Sequence, residues 1–141
     1  EADNAITTYN YAVSWNGVPD QGIWRVTAPS ASAWHHIVVT YDSSSASNNP
    51  VIYVDGSSVS VTTFSTPTGT LGTNADAYVL GNRGNDNARN WAGSVDEWRV
   101  SDSIRSGSWV ATEYNNMNSP STFYAIGSEV AGTNFFRRRV Q

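Results

Sequence analysis

The chain has 141 residues, no cysteine, a charged fraction of 14% and a net charge of −4, with arginine as its only strong base. That length is enough for one domain with a core that needs no disulfides, and the absence of cysteine excludes a disulfide framework, a thiolate metal site and a cysteine nucleophile. The negative balance argues against a nucleic-acid binder, and no apolar run approaches the ~20 residues that cross a bilayer.

Solubility rests on serine, threonine and asparagine, a composition expected of an extracellular, cell-surface or virion-surface protein. The sequence starts at Glu1 rather than methionine and shows no signal peptide, so it is expected to be a mature or excised piece of a longer product.

In chain order, short runs rich in valine, isoleucine, threonine and aromatics alternate with turn signals, the pattern of an all-β sandwich or barrel. Strands are expected over Ile6 to Ser14, Gly22 to Ala28, Trp34 to Tyr41, Val51 to Val54, Ser57 to Thr62, Ala77 to Gly81, Ser94 to Val100 and Thr122 to Ile126. Asp55-Gly56 stands between two of them, and both central residues of a type I′ hairpin turn need positive φ, which Asp-Gly supplies. Asp55 is therefore read as a turn residue and not as a catalytic acid.

One helix is expected from Gly107 to Met117, with Ser106 as its N-cap and Val110, Tyr114 and Met117 as its apolar stripe. Asn118-Ser119-Pro120 ends it. Segments 43–50 and 63–74 read as loops. The domain is assigned to residues 1–127, with 128–141 as a C-terminal tail or donor strand. Arg137-Arg138-Arg139 reads as a solvated tail, with an anionic partner or a processing site as the alternative.

Residues 82–90 form a long polar segment without a large apolar side chain, between Tyr78-Val79-Leu80-Gly81 and Trp91-Ala92-Gly93. Guanidinium groups of Arg83 and Arg89 and amides of Asn85 and Asn87 offer many hydrogen bonds, while Tyr78 and Trp91 offer flat faces for stacking. Together they suit a hydroxyl-rich ligand such as a sugar. A solvated hairpin loop suits the same composition. Asp76 and Asp86, with nearby asparagines, are the candidate oxygen ligands for calcium, although without the spacing of a dedicated calcium loop.

His35 and His36 are strand neighbours that point to opposite faces, so the expectation is one ring packed inside and one outside rather than a metal pair. Asp96 and Glu97 are likewise adjacent, and no Glu-x-Asp-x-Glu pattern provides the paired carboxylates of a glycosidase. Asp96 shares its expected face with Trp98 and Val100, which reads as a partly buried structural carboxylate. No serine-histidine-acid arrangement stands out, and the chain is read as non-catalytic. Trp34, Trp98 and Trp109 are expected in the core, and Trp15, Trp24 and Trp91 at a rim where they can stack on a ligand.

The runs Trp34-His35-His36-Ile37-Val38-Val39-Thr40-Tyr41-Asp42, Ile52-Tyr53-Val54-Asp55-Gly56 and Trp91 to Val100 together resemble the laminin-G-like, concanavalin-A-like lectin/glucanase superfamily. Ser106 to Gly127 resembles the C-terminal end of its bacterial and archaeal secreted members, so the motifs cover roughly residues 34 to 127. The resemblance implies a concanavalin-A-like jelly-roll sandwich of two antiparallel sheets with one short C-terminal helix. Glycans are the ligands it implies, with a calcium ion in some members. Only 33 residues precede the Trp-His-His run, where family modules place several strands, so the leading strands are expected to be cleaved off or supplied by another chain.

The reading that follows is a glycan-binding or adhesion module that binds a glycan or cell-surface polysaccharide. The alternative is a structural subunit of a surface filament, coat or virion, in which neighbouring copies or the rest of a longer parent protein share strands. Ala5 to Val13 and Val130 to Phe136 are the segments expected to pair in trans.

Overall fold

A computed structural model describes residues 8–73, 80 and 81, 91–123 and 127. The elements are β1 (Thr8–Ser14), β2 (Gln21–Thr27), β3 (Ile37–Thr40), β4 (Val51–Val54), β5 (Ser57–Ser58), β6 (Thr62–Ser65), α1 (Gly107–Asn118) and α2 (Pro120–Phe123). Two three-stranded antiparallel sheets result, one in the order β1-β2-β6 and the other β3-β4-β5.

Strand period decides which side chains enter the core. In β2, Gly22, Trp24 and Val26 are buried while their neighbours are not, and across the ladder Tyr11 and Tyr9 stand opposite Trp24 and Val26. Trp24 is fully buried between Tyr11 and Tyr41, with ring centroids 6.0 and 5.2 Å away, and its Nε1–H donates to Asn49 Oδ1 at 2.8 Å. Trp15, Val26, Pro50, Ile52, Pro67 and Val110 are buried with it.

The hairpin joining β4 and β5 has Asp55 at φ 51° and Gly56 at φ 76°, the two positive values that the Asp-Gly pair is suited to. The run expected as one strand from Ser57 to Thr62 divides. Ser57 and Ser58 pair with β4, whereas Thr62 begins β6 against β2, so the chain crosses from one sheet to the other between them.

Two further expectations are corrected. Ser94 to Val100 forms no strand: every residue from 91 to 106 is exposed, and Glu97 adopts φ 54°. The Asp96 carboxylate accepts from the Glu97 N–H at 2.8 Å, a local bond that replaces a ladder bond, so Asp96 is an exposed loop residue and not a half-buried one. Thr122 and Phe123 are helical, because Pro120 opens a short turn in which the Thr122 N–H donates to Ser119 O.

The tryptophan assignment is reversed for all but Trp91. Trp15 and Trp24 are core, whereas Trp34, Trp98 and Trp109 are exposed. Trp24 is drawn in because β1 and β6 flank its strand on both sides, while Trp98 lies on a segment with no ladder to cover it. α1 begins as expected, with Ser106 Oγ accepting from the Trp109 N–H, and ends at Asn118. Of its expected stripe, Val110 is buried and Tyr114 is half-buried against His36, but Met117 is exposed.

Candidate functional site

Of the residues expected to contact a ligand, Tyr78, Arg83, Asn85, Asn87 and Arg89 lie outside the described residues, as do Asp76 and Asp86. Trp91 is described. Its backbone N–H donates to Gly81 O at 2.8 Å, which ties together the two ends of the polar segment 82–90. Its indole is 46% exposed and packs against Tyr9 of β1, with centroids 6.0 Å apart. An aromatic face backed by a sheet thus stands at the foot of that segment.

A second surface lies on α1. Trp109, Thr112, Glu113 and Asn116 fall at i, i+3, i+4 and i+7, so they share one helix face, and with Arg99 they line an open depression of about 230 Å³. The Arg99 guanidinium donates to Glu97 at 2.6 Å and also to Glu113. Those two bonds raise the Arg99 pKa above its ordinary value. Arg105 sits over the Trp109 ring at 5.0 Å. This face was legible as a helical pattern, but the apolar stripe on the other side of the helix drew the sequence reading.

The histidines each meet a different carboxylate. His35 Nδ1 lies 2.7 Å from Asp55 Oδ2, and His36 Nε2 lies 3.6 Å from Glu113 Oε2. Both side chains are mostly covered, so neither faces outward as expected. Among the described residues no group of three or more histidine and acidic side chains converges to hold a metal ion.

Ser30, His35 and Asp55 form a hydrogen-bonded row that sequence reading missed, because Ser30 and Asp55 meet only once the β3–β4 hairpin folds. His35 Nε2 lies 3.1 Å from Ser30 Oγ and 3.0 Å from Ser30 O. The carboxylate accepts from the ring on one side, and on the other Nε2 lies within reach of both the Ser30 carbonyl and its hydroxyl. The row is a clamp that fixes the segment before β3 to the turn, and Asp55 also accepts from the His36 N–H at 3.0 Å. Burial alone would raise the Asp55 carboxyl; the bonds from His35 and His36 and the charge of their rings outweigh it and hold the carboxyl below its ordinary 3.8.

Two antiparallel sheets over an aromatic core, followed by a helix, define a β-sandwich domain. A family model described as the concanavalin A-like lectin/glucanases superfamily matches residues 3–111, and the chain belongs to that superfamily through its laminin-G type. The match begins well before Trp34, where the motifs of the resemblance begin, so β1 and β2 lie within the family's span. Among solved structures, the chain is similar to an S-layer domain-containing protein from Clostridium thermocellum, with 16% identity and a TM-score of 0.45 over 76% of this chain. It spans 51% of that structure's length. No curated protein matches the chain. No helix among the described residues is long and apolar enough to cross a membrane.

Proposed function

We propose that the chain is a non-catalytic glycan-recognition module of an extracellular, cell-surface or virion-surface protein. The observation that carries this reading is Trp91: a half-exposed indole, backed by Tyr9, at the tied base of a segment dense in amide and guanidinium groups. In this reading Trp91 or Tyr78 stacks on a sugar face, while Arg83 or Arg89 and the amides of Asn85 and Asn87 bond its hydroxyls. The surface setting is supported by the lysine-free composition, rich in neutral polar residues.

One geometry supports a non-catalytic role. A glycosidase needs room for sugar or water between its carboxylates, and the Arg99 guanidinium bridges Glu97 and Glu113. The test is a glycan array probed with the chain and with a variant carrying Arg83, Asn85, Asp86 and Asn87 as alanine. Loss of binding in a variant that keeps its fold is the expected result, and unchanged binding removes the assignment.

One observation favours a second reading, a structural subunit that shares strands with neighbouring copies. Ser94 to Val100 has strand composition but no ladder among the described residues, and leaves Trp98 61% exposed. Unpaired backbone of this kind is what strand addition uses. A native mass measurement tests it: self-assembly that weakens when residues 130–141 are deleted supports strand sharing, and a monomer at high concentration rules it out.

A further inference from the structure

We propose that the depression on α1 is a subsite for a single neutral hexopyranose ring, separate from segment 82–90. The proposal takes its class of ligand from the glycan-binding reading and its place from the geometry of the helix. At about 230 Å³, the depression is smaller than the roughly 300 Å³ at which pockets for larger ligands begin. Its size suits contact with a single ring.

Trp109 supplies the apolar wall. Its neighbour Val110 is fully buried, and the helical turn that sends Val110 into the core sends Trp109 outward, leaving its indole 41% exposed. The Arg105 guanidinium over that ring steadies its orientation. What remains of the ring surface is the kind of face on which the C–H groups of a pyranose stack.

The polar groups select against charge. Arg99 and Arg105 balance Glu97 and Glu113, so the lining and its immediate supports carry no net charge. An anionic or cationic ligand gains nothing there, whereas a polyol finds both donors and acceptors. The Asn116 amide can both donate and accept, and the Thr112 hydroxyl, whose proton goes to Ser108 O at 2.8 Å, keeps its lone pairs for a ligand. Both are carried on a capped helix rather than a loop, so their spacing is set before a ligand arrives.

The test is an NMR titration of the ¹⁵N-labelled full chain with neutral methyl hexosides, methyl β-glucoside and methyl β-galactoside, and with glucuronate as the charged comparison. A neutral hexoside is expected to shift the Trp109 indole N–H and the Asn116 side-chain amide, and glucuronate to bind more weakly. Trp109→Ala should weaken binding by about tenfold or more, while Trp109→Phe, which keeps an aromatic wall, should restore most of it. The variant of segment 82–90 should give the same Trp109 shifts as the parent chain.

A Trp109 indole that responds to neither hexoside, or equal binding by Trp109→Ala, overturns the subsite. If the loop variant alone abolishes array binding while Trp109 never responds, the subsite falls and the glycan-binding reading stands. If Trp109 responds and the loop variant binds the array as before, the subsite stands and the loop assignment falls.

Discussion

Asp55→Asn separates the two roles of one side chain. Asparagine tolerates the left-handed backbone that Asp55 adopts at φ 51°, so the hairpin turn is retained and only the clamp is altered. The carboxylate accepts two hydrogen bonds, from His35 Nδ1 at 2.7 Å and from the His36 N–H at 3.0 Å. Hydrogen bonds to a charged group contribute ~1.5–3 kcal/mol each, and asparagine keeps one acceptor oxygen. The Asp55 side chain is 34% exposed, so water screens part of the loss. The expected net cost is about 1–2 kcal/mol, measured as the shift in urea midpoint at unchanged slope.

The pH dependence supplies the sharper check. The folded Asp55 carboxyl lies below its ordinary 3.8. Its contribution is therefore complete above that value and is lost as pH falls through the lowered folded value. The asparagine variant has no such titration. Between about pH 5 and pH 2 the stability gap between the two proteins should close. A gap that stays constant across that window refutes the assignment of the clamp to the ionised carboxylate.

Four other outcomes are expected. Trp24→Phe and Asn49→Ala, combined in a double-mutant cycle by chemical denaturation, should show a coupling of about 1 kcal/mol from the buried indole bond; additive effects would remove that bond from the account. Gly22→Ala drives a Cβ into Trp24 at Cη2, and should destabilise by about 1–3 kcal/mol in thermal melts because that ring is enclosed. Ser106→Ala should cost about 1 kcal/mol by removing the α1 cap, with Ser106→Thr close to neutral. If Asp76 and Asp86 hold calcium, a chelator should lower the melting temperature, since an ion bound only by the folded state stabilises it; identical melting curves with calcium and with chelator remove the ion.

Features that depend on a few adjacent residues were readable from the chain by itself. Asp55-Gly56 meets the φ demand of its turn locally, and Ser106 and the residues after it form a capped helix without help from distant strands. The all-β class and the strands β1, β2 and β4 follow from runs of β-branched and aromatic residues between turn signals, which are also short-range. Burial and pairing are different, because they depend on what the rest of the chain places alongside. Trp24 and Trp98 have similar strand-like surroundings in sequence, yet one is flanked by two strands and the other by none. Ser57 to Ser65 divides between two sheets because its edges meet different partners, a choice absent from its own composition. Ser30, His35 and Asp55 converge only when a hairpin brings residues 25 positions apart into one hydrogen-bonded row. The tertiary structure alone decides such contacts, since hydrogen bonding and apolar burial act on groups that meet in space, and local propensity carries no record of that meeting.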